Sequence, residues 1–265
     1  MSVHHRPGGG HSPGMNPQPP AGRRAGRRGL LIGAAGLAAM AATVALVSSA
    51  AADGRPPLVS SGGGSRSVAL TSGPVRTVEL IGLAGKLTVT GIAGDRAELT
   101  GPVQWSGSAA PHVTSRFDRL TGTLKLTSSC AAGSPCTAAW RLAVPRRASL
   151  VLFQPSGQVT LAGLAGPVRI GAASVDISAT GLRSPSLVAY ISSGHLAADF
   201  AAPPGRLAVT LASAQATIRL PDSVRYAVTS NVISGYLQNG IPTSATAART
   251  ISVRISSGEV ALLPG

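Results

Sequence analysis

The chain has 265 residues, with 23 Lys and Arg against nine Asp and Glu, for a formal charge of +14. Only 12% of its residues are charged and 3% are aromatic, and it holds two cysteines. These numbers exclude a small fold stapled by several disulfides and a core built on aromatic rings, and they leave enough chain for one sizeable domain.

Residues 1–28 are rich in Gly, Pro, His and Arg and show no apolar period, which predicts a disordered tail. His4, His5 and His11 belong to this solvated stretch. Arg23, Arg24, Arg27 and Arg28 then abut a run, 29–52, with no charged residue. About 20 apolar residues of helix cross a bilayer. The four arginines orient that end towards the cytoplasm and send the rest of the chain outside. The run reads as a single-pass anchor in membrane lipid. A cleaved signal segment, ending in the small residues Ala50-Ala51-Ala52, is the alternative and would make the protein secreted. Residues 53–67 read as a polar Gly/Ser/Pro linker, and 68–265 as an exported domain.

Within that domain, apolar and polar residues alternate with period two, the mark of half-buried strands. Leu87-Thr-Val-Thr, Leu120/Leu124/Leu126 and Trp140/Leu142/Val144 are early examples. Pro145 ends the last of these, since proline cannot donate to a ladder. Later, Leu187, Ala189 and Ile191 alternate before Leu196, Ala198 and Phe200. No stretch beyond residue 52 carries a helical stripe. A short phrase recurs: PSGQV at 155–159, AASVD at 172–176, SSGHL at 192–196, ASAQA at 212–216, ISGYL at 233–237 and SSGEV at 256–260. Centred on Gly157, Ala173, Gly194, Ala214, Gly235 and Gly258, its steps run from 16 to 23 residues. Gly157, Gly194, Gly235 and Gly258 supply turns of positive φ. The expected fold is all-β: a membrane anchor followed by a β-solenoid-like stack of short strands, each level covering the apolar row of the next. A β-sandwich of hairpins is the alternative.

Outside the cytoplasm, Cys130 and Cys136 around Ala-Ala-Gly-Ser-Pro read as a structural disulfide across a short turn, not as a redox or metal pair.

The polar residues give no catalytic, cofactor or metal set. His112 and His195 are the exported histidines, and His195 is expected on a wet face. Asp176, Asp199 and Asp222 are spaced by 23, but Asp222 follows Pro221 in a turn, so no carboxylate ladder follows. Ser193-Gly194-His195 places its serine and histidine outside any nucleophile elbow. The exported stretch carries 18 Lys and Arg and nine Asp and Glu, a formal +9. Its arginines are dispersed, Arg146-Arg147 apart, and are not interleaved with aromatics, so no nucleic-acid partner is expected. An anionic cell-envelope polymer or a membrane protein partner fits the charge and the address.

Ser156-Gly157-Gln158-Val159, Ser192-Ser193-Gly194-His195-Leu196-Ala197-Ala198, Ser234-Gly235-Tyr236-Leu237 and Ser256-Ser257-Gly258-Glu259-Val260 carry a resemblance. Over roughly 70–265 the chain resembles a bacterial family of membrane-attached "putative adhesins" of unknown function, with a β-strand repeat domain and a single membrane segment. The resemblance implies a non-enzymatic structural, adhesion or binding module facing the exterior. A sensory ectodomain working with a membrane signalling partner and a secreted glycan-active enzyme are the alternatives.

Overall fold

The computed structural model describes residues 63–66, 73–99, 103–106, 111–129 and 137–265. Among the described residues every regular element is a strand, and no helix is long and apolar enough to cross a membrane. The apolar run 29–52, the arginines Arg23, Arg24, Arg27 and Arg28, and Cys130 and Cys136 all lie outside the described residues.

The strands in chain order are β1 (Gly63–Arg66), β2 (Thr77–Ile81), β3 (Gly85–Ile92), β4 (Glu98–Leu99), β5 (Val103–Ser106), β6 (His112–Asp118) and β7 (Thr123–Ser129). There follow β8 (Thr137–Pro145), β9 (Ser149–Ala162), β10 (Val168–Leu182), β11 (Ser186–Phe200), β12 (Arg206–Leu220), β13 (Ala227–Asn239) and β14 (Thr250–Pro264). All fourteen belong to one sheet. The chain is already paired at β1, which lies inside the stretch read as a linker and runs antiparallel to β5.

Strands β9 to β12 are 14 or 15 residues long, against a usual length of roughly 5–6. Each is two legs joined at a corner, and the burial pattern shows where. In β11 Leu187, Ala189 and Ile191 are buried, and then Leu196, Ala198 and Phe200. The inward phase slips by one residue between Ile191 and Leu196. A flat strand would send the second set to the opposite face. Bending the chain at 192–195 keeps both apolar rows on one interior. Gly194, at φ +109°, makes the bend, and Gly157 in β9 does the same at φ +114°.

Neighbouring strands pair in parallel and in register. Leu152, Ile170, Ala189, Val209 and Val253 form one buried row across β9, β10, β11, β12 and β14. Val159, Ile177, Leu196, Ala216 and Val260 form another on the second legs. We call each level of this ladder a rung. Parallel neighbours need a long crossover rather than a hairpin. Here the second leg of each rung, with a short connection such as 163–167 or 201–205, is the crossover for the first. Those connections also bond to one another: Arg183 N–H donates to Leu164 O, and Ala201 N–H to Leu182 O. The small residues at 172, 179, 189, 198, 214 and 216 let the rows approach closely, which suits a core poor in aromatics.

Two further rungs are made of separate strands. β2 and β3 pair with the two legs of β9, Thr77 with Ser149 and Gly85 with Gly157. β7 and β8 pair in turn with β2 and β3. The spatial order is therefore β7/β8, β2/β3, β9, β10, β11, β12, β14, β13, and it departs from chain order at both ends. Gln154 ties the second level to the third. Its buried amide Nε2 donates to Leu83 O (2.5 Å) and Ser156 O (3.0 Å). Gln154→Leu keeps the bulk and takes this donor from both carbonyls, while it also removes the amide's own buried, unpartnered Oε1. It is expected to lower stability by about 1–3 kcal/mol, read from the midpoint of urea denaturation.

The register corrects one detail of the sequence reading. The residue beside Gly157 and Gly194 in β10 is Val175, not Ala173. The corner column runs Gly85, Gly157, Val175, Gly194, Ala214, Gly258, Gly235. Val175 and Ala214 are buried there, so their side chains turn inward where the glycines have none.

Candidate functional site

The corners put two polar columns on the outside. One residue before the corner position stands a serine in every rung from β9 to the end. Ser156, Ser174, Ser193, Ser213, Ser257 and Ser234 pair in that spatial order, and all six are exposed. Adjacent strands lie roughly 4.8 Å apart, so the hydroxyls form a row at that spacing. One residue after the corner stands a second column: Lys86, Gln158, Asp176, His195, Gln215, Glu259 and Tyr236. Between the two, glycine or an inward side chain leaves the backbone bare.

Two of the second column's neighbours bond across strands. His195 Nδ1 meets Asp176 Oδ1 at 3.0 Å, with both side chains more than half exposed. The Tyr236 hydroxyl donates to Glu259 Oε1 at 2.5 Å. That bond to the carboxylate, helped by desolvation and by the carboxylate's charge, raises the Tyr236 phenol above its ordinary value. The bond's contribution to stability is therefore complete below the ordinary phenol pKa and is lost as pH rises through the raised folded value. Glu259→Ala is expected to bring Tyr236 back down towards the ordinary range, checked by a tyrosine ring titration in NMR.

A shallow groove of about 440 Å³ follows the second column. Gln158, Thr160, Asp176, Ser178, His195, Gln215 and Thr217 line it. It crosses four rungs, so its floor offers amide, carboxylate and imidazole groups along one column, Gln158, Asp176, His195 and Gln215, and the hydroxyls of Thr160, Ser178 and Thr217 along a second column that Ala197 interrupts. Such a floor can hold an extended polymer by repeated hydrogen bonds. Asp176 holds the His195 ring as a general base would need, but among the described residues no hydroxyl bonds to its other nitrogen.

A second groove lies on the outer face of the first legs. Phe153 and Tyr190, 48% and 54% exposed, flank Gly171 in one row with Ile81. Phe153 leans over the glycine, since a Cβ there would meet its Cδ1 at 2.7 Å. Arg169 and Val188 complete this apolar hollow of about 710 Å³.

Gly157, Gly194, Gly235 and Gly258 have positive φ and sit inside long strands rather than in loops between them. His195 is on the wet face beside Asp176, a neighbour that the 23-residue spacing of the aspartates did not indicate. Asp199 stands opposite Arg219, and Asp222 lies in the turn after β12. His112 is on β6, away from the corner columns. Cys130 and Cys136 fall between the end of β7 at Ser129 and the start of β8 at Thr137, outside the described residues. The serine column was visible in the recurring phrase as the residue before each glycine. Its continuity needed the register.

No protein-family model and no curated protein matches the chain. Among solved structures it is similar to a "putative cell adhesion protein" from Clostridium sporogenes, at 11% identity and TM-score 0.45, covering 77% of this chain and 99% of that one. It is also similar to a "putative adhesin" from Bacteroides fragilis, at 11% identity and TM-score 0.41, covering 77% and 98%. Likeness at this level assigns no function.

Proposed function

We propose that the chain is a non-enzymatic binding module, a β-solenoid-like stack tethered to the membrane by 29–52 and facing the cell exterior. Its ligand is a hydroxyl-rich, anionic polymer of the cell envelope, lying along the stack. The observation that carries this reading is the corner itself: two unbroken outward columns of polar side chains across successive rungs, with a groove beside them. A polymer running along the stack meets a serine hydroxyl at every rung from β9 on, with a polar side chain of varying kind beside it, so weak contacts add through repetition. The exported stretch's formal charge of +9, carried by residues outside the groove, which itself holds Asp176 and no Lys or Arg, supplies long-range attraction to an anionic partner. The open His195–Asp176 pair then serves as donor and acceptor, not as base and orienter.

The test is binding of the full chain to isolated, insoluble envelope polymer. The wild type is expected to co-sediment, and the double variant His195→Ala/Gln215→Ala to lose affinity by roughly tenfold or more, as for two hydrogen bonds at about 1 kcal/mol each. Raising salt is expected to weaken the wild type as well. Binding unchanged in the double variant places the ligand elsewhere, and binding indifferent to salt removes the electrostatic part.

A further inference from the structure

The two ends of the sheet are finished differently. At the β7/β8 end, antiparallel strands cover the last rung: β6 along β7, and β4 and β5 along β8. β6 carries Arg116 and Asp118, charges of the kind that deter further pairing. At the other end β13 has one strand partner, β14. It runs thirteen residues with no Lys, Arg, Asp, Glu or Pro. It exposes Val232 (36%), Ile233 (79%) and Tyr236 (54%). The connection 240–249 touches it at its two ends: Tyr226, just before the strand, bridges Thr243, Ala227 N–H donates to Arg249 O, and Ile241 N–H donates to Asn239 Oδ1. A long, uncharged edge of this kind is one that natural monomers avoid.

β13 is also complementary to itself. Val228, Ser230 and Val232 continue the inward row of the first legs, beside Ile251, Val253 and Ile255. Leu237 and Asn239 continue that of the second legs, beside Val260 and Leu262. A two-fold axis through the corner lays the first leg of one copy antiparallel to the second leg of another. With Ser230 opposite Leu237, Val228 falls opposite Asn239. On the outer side Asn231 then faces Tyr236, and Thr229 faces Gln238. Inward residues meet inward ones and outward meet outward, the condition for a register that joins two interiors. We propose that β13 pairs in this register with β13 of a second copy, joining two sheets end to end.

The chain enters the sheet at β1, at the opposite edge from β13. The two-fold contact therefore points the two N-terminal sides away from each other. The same contact then joins molecules on two facing membranes, a consequence that, unlike the pairing itself, rests on the tethered reading above.

The full chain in detergent micelles is expected to have twice the protein mass of Ile233→Lys by light scattering. Ile233 is exposed enough for the lysine to leave folding intact, and it brings two like charges together at the two-fold. Register is tested by oxidising Asn231→Cys and Tyr236→Cys proteins mixed in equal amounts. Directly opposite antiparallel residues lie within disulfide reach. A cross-linked dimer is expected from the mixture and not from either variant alone. A wild-type monomer, a dimer indifferent to Ile233→Lys, or equal cross-linking of either variant alone overturns the proposal. Vesicles carrying the full chain are expected to cluster, and those carrying Ile233→Lys to stay apart. A dimer in micelles without clustering contradicts the tethered reading and not the pairing.

Discussion

Gly194→Ala is expected to destabilise the domain by about 3 kcal/mol or more, the upper end for backbone strain alone. Two effects add at this position. The φ of +109° lies beyond the small left-handed region that other residues tolerate. The new Cβ would also stand 2.2 Å from the carbonyl oxygen of Val175 on the next rung, so the two strands must part. Gly181→Ala separates the two effects. Its φ is +61° and nothing lies within 4 Å of a Cβ there, so it is expected to cost only about 1–2 kcal/mol. Urea denaturation of both variants checks this. A Gly194→Ala protein as stable as Gly181→Ala would mean that the corner is not held against its neighbour.

Leu211→Ala is expected to cost about 2–5 kcal/mol. Leu211 is fully buried, in the row with Ile191 and Ile255, just before the corner of β12. Removing it opens a hole shared by three rungs, and the parallel ladder on either side limits collapse. Leu120→Ala is the contrast. Leu120 is 87% exposed in the turn between β6 and β7, and its loss is expected to stay within about 0.5 kcal/mol. Denaturation midpoints of the two proteins at equal m-value make the comparison.

From β9 onward the local structure could be read from the residues because it depends on local chemistry; Leu120, expected to alternate with Leu124 and Leu126, instead lies exposed in the turn before β7. Leu187, Ala189 and Ile191, then Leu196, Ala198 and Phe200, show the alternation and its one-residue slip, and a serine followed by glycine marks the bend. Adjacency could not be read in the same way. The legs of β12, β13 and β14 share one period, which by itself does not say that β14 lies between the other two; the polar inward residues Ser230 and Asn239 of β13, where β12 has Val209 and Ile218, are the one sign in the residues that β13 is outermost. That order depends on the connection 240–249, which carries the chain from the outermost rung back to the one inside it. The same holds for β7 and β8, which lie beyond β2 and β3 although they follow them in sequence. The slip from Ala173 to Val175 has a simple cause as well. Where β10 lacks the glycine, the phrase has no fixed point, and Ala173, two residues away, fits it as well as Val175 does. The Asp176–His195 contact was missed for that reason, since it needs a step of 19 residues and the aspartates suggested 23.

The buried rows and both polar columns depend on the rungs lying in register in the order β9, β10, β11, β12, β14, β13. Pairs of spin labels on the exposed serine column test it most directly, with one label fixed at Ser193 and the other at Ser213, Ser257 or Ser234. The backbone separation is expected to grow by about 4.8 Å per strand in that order, so that Ser257 is nearer to Ser193 than Ser234 is, although it is farther along the chain. A Ser234 label nearer than the Ser257 label, or three separations with no gradient, would contradict it.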